Sequence, residues 1–303
     1  MRGIVLAGGN GTRLQPLSFV GSKQLAPCYD KPVVYYPLSM LMLAGISEVL
    51  IISRPDDLPQ FRRLFGDGSD LGMSIAYTAQ DEPRGIADAF LVGADHIRGE
   101  DNALILGDNL FHGANLPSLL RRSAARLNGC VLFGHHVADP ERFGVAEVDD
   151  EGRLVAIEEK PDEPRSNLAI PGLYFFDGGV VDVAKRLTPS ARGELEITDV
   201  LRAYLAEGRA DLAWLGRGVT WLDTGTHESL LEAALFVRDV QRRQGTRIGC
   251  VEEIAMHMGF IGPEDCHRLG ERMASSPYGR YVMDCARSYD QVPASARAAM
   301  DWP

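Results

Sequence analysis

The feature that most limits what this chain can become is its first strand. Ile4-Val5-Leu6-Ala7 is an unbroken apolar run that passes straight into Gly8-Gly9-Asn10-Gly11-Thr12-Arg13-Leu14. A run without polar alternation suits a strand buried on both faces, the habit of parallel sheets covered by helices. The glycines let the backbone come close to a polyphosphate, with several N–H groups aimed at the same oxygens. Arg13 adds a permanently charged planar fork, and Lys23 follows in Ser22-Lys23-Gln24-Leu25. Two rival glycine motifs fail. The dinucleotide fingerprint needs a glycine where Leu14 stands, and the P-loop needs Gly-Lys-Ser/Thr where the chain has Gly21-Ser22-Lys23.

The remaining pattern agrees with an α/β fold, a Rossmann-like, mostly parallel central sheet with helices on both faces. Buried strands are expected at Ile4–Ala7, Glu48–Ser53, Ser74–Ala79, Ala103–Leu106 and Cys130–Gly134. A helix is expected from Pro32 to about Ala44, with Pro37 kinking it or marking a second start, and another over Asp88–Ile97. After residue 140 the chain reads as a β-rich insertion. Gly144–Asp149 and Leu154–Glu159 form a hairpin, and Leu168–Phe176 is one more strand. Helices follow over Ile197–Glu207 and Glu228–Gln244, then two short ones between Pro263 and Ser288, forming a C-terminal helical extension. Residues 291–303 read as a loose tail.

The chain has 303 residues, 45% of them hydrophobic, enough for a sizeable core. A net charge of −11 with no basic stripe argues against a nucleic-acid surface. No stretch reaches the ~20 apolar residues that span a bilayer, and Met1-Arg2 leads directly into a strand, so neither a signal peptide nor a membrane partner is expected. Cys28, Cys130, Cys250, Cys266 and Cys285 lack C-x-x-C spacing and read as free thiols of a cytoplasmic protein.

Ligands of open parallel sheets sit at the carboxyl ends of the strands. Those ends carry Gln80, Asp108-Asn109 and, after Trp221-Leu222, Asp223. Asp108 and Asp223 suit Mg2+, which takes a few carboxylates plus substrate phosphate oxygens. Glu159 has the acceptors for sugar hydroxyls, and Lys160 and Arg192 the charge for a phosphate. The seven histidines show no metal-ligand spacing. His135 and His136 read as one core and one exposed strand residue.

With these residues assembled, the chain resembles the sugar-phosphate nucleotidyltransferase family over about residues 1–290. The matching blocks are Leu6 to Leu14, Ser22 to Leu25, Tyr35 to Ser39, Leu106 to Asn109, Phe143 to Val145, Glu158 to Pro161, Ser166-Asn167, Pro171 to Tyr174, Glu196 to Asp199 and Trp221 to Thr226. The Ser-Lys-Gln-Leu and Trp-Leu-Asp-Thr-Gly-Thr blocks resemble the thymidylyl branch. The resemblance implies transfer of a thymidylyl group from dTTP to α-D-glucose 1-phosphate, giving dTDP-glucose and pyrophosphate, the first step of dTDP-deoxysugar synthesis. The same chemistry on UTP or another sugar 1-phosphate, or a non-catalytic nucleotide-sugar sensor, are the alternatives.

The resemblance also implies roles. Arg13 and Lys23 hold the triphosphate; Asp108 and Asp223 hold Mg2+. Leu6, Gly8, Gly9, Gly11, Thr12, Arg13 and Gln24 surround the nucleotide, whose base is read by Gln80 and Gly85. Asn109, Gly144, Glu159, Ile170 and Tyr174 surround the sugar, with Lys160 and Arg192 on its phosphate. It implies a catalytic domain over 1–245, its sugar-binding part at about 140–225, a helical segment at 246–290, and a homotetramer with a feedback nucleotide site at an interface. Asn10, Cys28, His112 and His135-His136 depart from the family pattern.

Overall fold

The computed structural model describes residues 1–9, 11–289 and 291. Its strands, in chain order, are β1 (Arg2–Leu6), the two-residue β2 (Pro27–Cys28) and β3 (Lys31–Pro32), β4 (Glu48–Ser53), β5 (Ser74–Ala79), β6 (Asn102–Leu106), β7 (Asn109–His112), β8 (Cys130–His136), β9 (Gly144–Val148), β10 (Leu154–Glu159), β11 (Leu168–Ile170), β12 (Leu173–Phe176), β13 (Ala210–Trp214) and β14 (Thr220–Asp223).

Ten of these make one mixed sheet in the order β10-β9-β11-β8-β12-β6-β1-β4-β5, with β13 added to β8. The half built on β1 is parallel: β4 and β6 flank β1, and β5 extends β4. Beyond β6 the main path turns antiparallel, through β12 to β8 and by way of β11 to β9 and β10, while β13 joins β8 in parallel. Successive residues feed opposite cores. Val5, Ile51, Ile105 and Phe175 pack on one face, and Ile4, Leu50, Leu104 and Tyr174 on the other. Both faces are covered by helices, which is why these strands read as continuous apolar runs.

The first helix runs Tyr35–Leu43, three residues later than its expected start, because Lys31 and Pro32 pair with Pro27 and Cys28 instead. Of the two roles expected of Pro37, the start holds and the kink does not: it lies in the first turn, where an N–H has no intrahelical acceptor. The expected helix Asp88–Ile97 is two pieces, Asp88–Val92 and Ala94–Ile97, divided at Gly93. The expected strand Leu168–Phe176 breaks at Pro171-Gly172, so β11 pairs with β8 and β9 while β12 crosses to β6. Pro171 has no N–H for a ladder, and a side chain at Gly172 would meet Leu106 at 2.5 Å. Helices at Leu58–Phe65, Leu116–Ala125 and Val251–His257 were not among the sequence expectations.

Past Gln244 the short helices Pro263–Glu271 and Pro277–Tyr289 close around Val251–His257 over a small core of Cys250, Met256, Cys266, Tyr278, Val282 and Ala286. All five cysteines are free thiols. Among the described residues no helix is long and apolar enough to cross a membrane. Residues 292–303, expected as a tail, and Asn10 lie outside the described residues.

Candidate active site

The chain leaves β1 for β4 and β5 on one side, then returns to β6 on the other. That reversal opens a crevice at the carboxyl ends of β1 and β6. The glycine turn occupies the first end and Gly107-Asp108 the second. Gly107 N–H donates to Leu6 O at 2.9 Å, so the two ends touch. The turn itself is held by Leu14, fully buried beneath it, while Gly9 and Gly11 take φ of 100° and 55°. Those conformations favour glycine.

Ser22 locks the next segment. Its N–H donates to Asp57 Oδ1 at 3.0 Å, its hydroxyl bonds the Gln24 amide oxygen, and Gln24 N–H donates back to Ser22 Oγ at 3.3 Å. Lys23 is thereby turned inward, where its ammonium pairs with Asp108 Oδ2. The pair joins residues 85 apart in sequence.

Asp223 reaches the same place through the antiparallel pair of β14 and β7, in which Asp223 lies opposite Asn109. Thr224 N–H and Oγ1–H both donate to Asp108 O at 3.0 Å, tying the two strand ends together. Asn109 is fixed from three directions. Its Oδ1 accepts from Trp221 Nε1 at 2.7 Å and Gly172 N at 3.2 Å, and its Nδ2 donates to Asp108 Oδ1 at 3.0 Å.

The two aspartates are electrically unlike. Burial opposes ionisation of Asp108, but the Lys23 ammonium and the donors from Lys23 and Asn109 outweigh it and hold the carboxyl below its usual range. Burial pushes the Asp223 carboxyl up, and the Asp108 charge adds to this against Arg142, Arg13 and Lys23. Arg142 Nη2 stands 3.4 Å from Asp223 Oδ2.

Two cavities meet at this point. One, of about 300 Å3, is lined by the expected nucleotide residues Leu6, Gly8, Gly9, Arg13, Lys23, Gln24, Gln80 and Gly85, with Asp108. The other, of about 260 Å3, is lined by Asn109, Gly144, Glu159, Lys160, Ile170 and Tyr174, with Asp223. Arg13, Ile86, Leu106 and Asp108 line both. Three expected residues line neither. Gly11 faces Ser18, Thr12 is exposed, and Arg192 stands at the rim on Glu196 at 2.8 Å and Glu159 at 3.3 Å.

Sequence reasoning gave no site role to Arg142, Trp221 or Thr198, which all line the second cavity. Trp221 and Thr198 sat inside matching blocks, but Arg142 carried no local signal. His136 is exposed, as expected of the surface member of the pair, whereas His135 is half-buried and stands outside the core, its ring edge-on to Trp221 at 6.1 Å.

A family model for nucleotidyl transferases matches residues 2–240. A glucose-1-phosphate thymidylyltransferase of Neisseria meningitidis is 51% identical over 283 residues, covering 93% of this chain and 98% of that one. One from Xanthomonas campestris is 52% identical over 94% of this chain and 97% of its own. Among solved structures, a Bacillus anthracis protein assigned to the same enzyme group, with sucrose bound, superposes with a TM-score of 0.72 at 37% identity, over 79% of this chain and 96% of that one. A UDP-glucose pyrophosphorylase with UDP-glucose has the same fold, with a TM-score of 0.69 at 24% identity over 79% of this chain and 98% of that one. By match, identity and coverage, the chain belongs to the nucleotidyl transferase family, within its glucose-1-phosphate thymidylyltransferase group.

Proposed function

We propose that the two adjoining cavities hold the two substrates of one displacement, dTTP in the first and α-D-glucose 1-phosphate in the second. The observation that carries this reading is their shared wall: Arg13 and Asp108 line both, so a phosphate at the junction is reachable from either side. In that arrangement a phosphate oxygen of the sugar phosphate attacks the α-phosphorus in line. Pyrophosphate departs along the glycine turn, and dTDP-glucose is formed. No protein nucleophile is needed; the chain supplies position and charge.

Each side chain then has a task. Arg13 and Lys23 neutralise the triphosphate and the leaving pyrophosphate. Lys160 and Arg192 serve the sugar phosphate, and Glu159 and Asn109 the sugar hydroxyls. Gln80 and Gly85 read the base. Asp108 and Asp223 fit a divalent cation, because the pairing of β14 with β7 brings Asp223, which lines the second cavity, close to Asp108, which lines both. Among the described residues no group of three His, Cys, Asp or Glu gathers as a metal cage, in keeping with an ion that completes its shell from phosphate oxygens. Mg2+ held there supplies charge neutralisation on the α-phosphate. Residues 1–245 would form the catalytic domain, with about 140–225 as its sugar part. The expected assembly is a homotetramer, which light scattering in solution would check.

The deciding experiment is pyrophosphate release across a panel of nucleotides and sugar 1-phosphates. Turnover is expected to be greatest with dTTP and glucose 1-phosphate. Tight dTTP binding without pyrophosphate release would identify a sensor instead, and equal turnover of UTP would widen the substrate.

A further inference from the structure

The first cavity contains a choice that its lining alone does not explain. Gln80 is buried at the end of β5, its backbone N–H bonded to Ser53 O at 2.8 Å. A glutamine amide has one donor end and one acceptor end, and which of them meets a ligand depends on what holds the other. Here Gln80 Nε2 donates to Asp88 Oδ2 at 2.8 Å. Asp88 is fully buried at the start of the helix Asp88–Val92, and its Oδ1 accepts from Arg84 Nη2 at 2.9 Å. Arg84 is itself more than half exposed, so it closes Asp88 off from outside. A carboxylate paired in this way offers only acceptors. Turning the Gln80 amide over would set oxygen against oxygen in a buried place and leave both acceptors without a donor.

The amide is therefore locked with its oxygen toward the glycine turn. Gln80 Oε1 lies 2.8 Å from the point where a β-carbon on Gly8 would stand, so the missing side chain of Gly8 makes the room it occupies. We infer that Asp88, braced by Arg84, is a positioning residue that makes Gln80 present an acceptor to the nucleotide base. The cavity then selects bases carrying an imide N–H. Thymine and uracil have that donor at N3, whereas cytosine has a lone pair there. This inference rests on the reading of the first cavity as the base site and adds the residue that orients its reader.

The test compares kcat/KM for dTTP and dCTP, each with glucose 1-phosphate, in wild type and variants whose melting is checked in parallel. Gln80→Ala is expected to lower the preference for dTTP about 10- to 100-fold. Asp88→Asn is expected to match it, because asparagine can meet either end of the amide. The loss should fall on KM for dTTP, with kcat moved less. Combining Gln80→Ala with Asp88→Asn should add little, since both remove one orientation. The exchange Gln80→Glu with Asp88→Asn conserves the charge of the pair. In it the new asparagine donates to one glutamate oxygen and leaves the other facing the base, so preference for dTTP should return. The exchange also reports if Asp88→Asn alone fails to fold; a folded exchange variant without preference overturns the inference. A wild-type preference in Asp88→Asn, or additive losses in the double variant, overturns the positioning role and leaves Gln80 as the reader. An unchanged preference in Gln80→Ala overturns both, because no orientation would then matter.

Discussion

Two pairs of buried acids sit in different parts of this molecule and are treated in opposite ways. Asp108 and Asp223 stand at the junction of the cavities and face cations: Lys23 on one, Arg142 on the other. Glu252 and Glu253 begin the helix Val251–His257 and take their side-chain hydrogen bonds from neutral groups, with Lys31 and Arg247 acting only from farther off. Tyr278 OH donates to Glu252 at 2.6 Å, Tyr281 OH to Glu253 at 2.9 and 3.0 Å, and the Cys250 and Cys285 thiols complete the set at 3.7 and 3.6 Å. Burial pushes both glutamates up, Glu253 to about 7. In the first pair cations work against burial: Lys23 holds the Asp108 carboxyl below its usual range, and Arg142 opposes the burial that raises Asp223. In the second pair the charge is suppressed, and the hydrogen bonds close a small core. The partner a buried acid is given therefore tells a working acid from a structural one.

The largest effect should come from the working pair. Asp108→Asn keeps the shape and loses the charge that Lys23 and the cation site need. Turnover is expected to drop by ~3–4 kcal/mol of transition-state stabilisation, with the melting temperature little changed. Pyrophosphate release measured beside thermal melting checks both halves. Wild-type turnover would erase the distinction between the pairs.

The structural pair should speak through stability and pH. The native chain holds the Glu253 proton to about pH 7, while the unfolded chain releases it near its ordinary value of 4.5. Stability present below about 4.5 is therefore lost as the pH rises through 7, and this group removes none above that. The shift corresponds to on the order of 3 kcal/mol. Denaturant titrations across that window should show the decline in wild type and a flatter profile in Glu253→Gln. Equal slopes would mean that Glu253 ionises as it would in water.

A smaller loss is expected from Tyr278→Phe, which strips Glu252 of its hydroxyl donor. The cost should be about 1–3 kcal/mol of folding stability. Turnover at 25 °C should not change, and a drop in kcat would connect the C-terminal helices to the chemistry. Least of all should follow from Arg272→Ala, which removes an exposed pair between this helical segment and Asp70, 202 residues away in the chain. Melting and turnover should both stay at wild-type values; a clear fall in melting temperature would show that surface charge, not the buried hydroxyls, secures this segment.

Much of the fold was legible because it is written locally. Ile4 to Leu14 announces a strand and a phosphate turn in adjacent residues, and Leu154–Glu159 is a strand within its expected bounds. Errors fell where a local rule met a distant partner. The helix expected from Pro32 yields its first residues to the pairing of β3 with β2. The strand expected through Pro171 divides because its halves pair with different strands. The site shows the same split. Arg13, Lys23, Asp108 and Asp223 stood out by type and motif, while Arg142 and Asp88 did not. Arg142 ends a short helical turn and Asp88 begins an expected helix, and neither position shows what its side chain meets until Asp223 and Gln80 are brought beside it.

The sequence by itself determined the chemistry available: a glycine turn fit for phosphate, two strand-end aspartates, and blocks resembling one branch of one family. Only the tertiary structure decided which of these meet. Lys23 is 85 residues from Asp108, and Trp221 is 112 from Asn109. Their contact depends on β1 and β6 lying side by side at the reversal of the sheet and on β14 folding back along β7. The physical reason is range. Backbone preference and side-chain charge act over a few residues, so they can be read from neighbours in the chain. A carboxylate's partners, and so its charge, are set by strands that become neighbours only when the sheet forms.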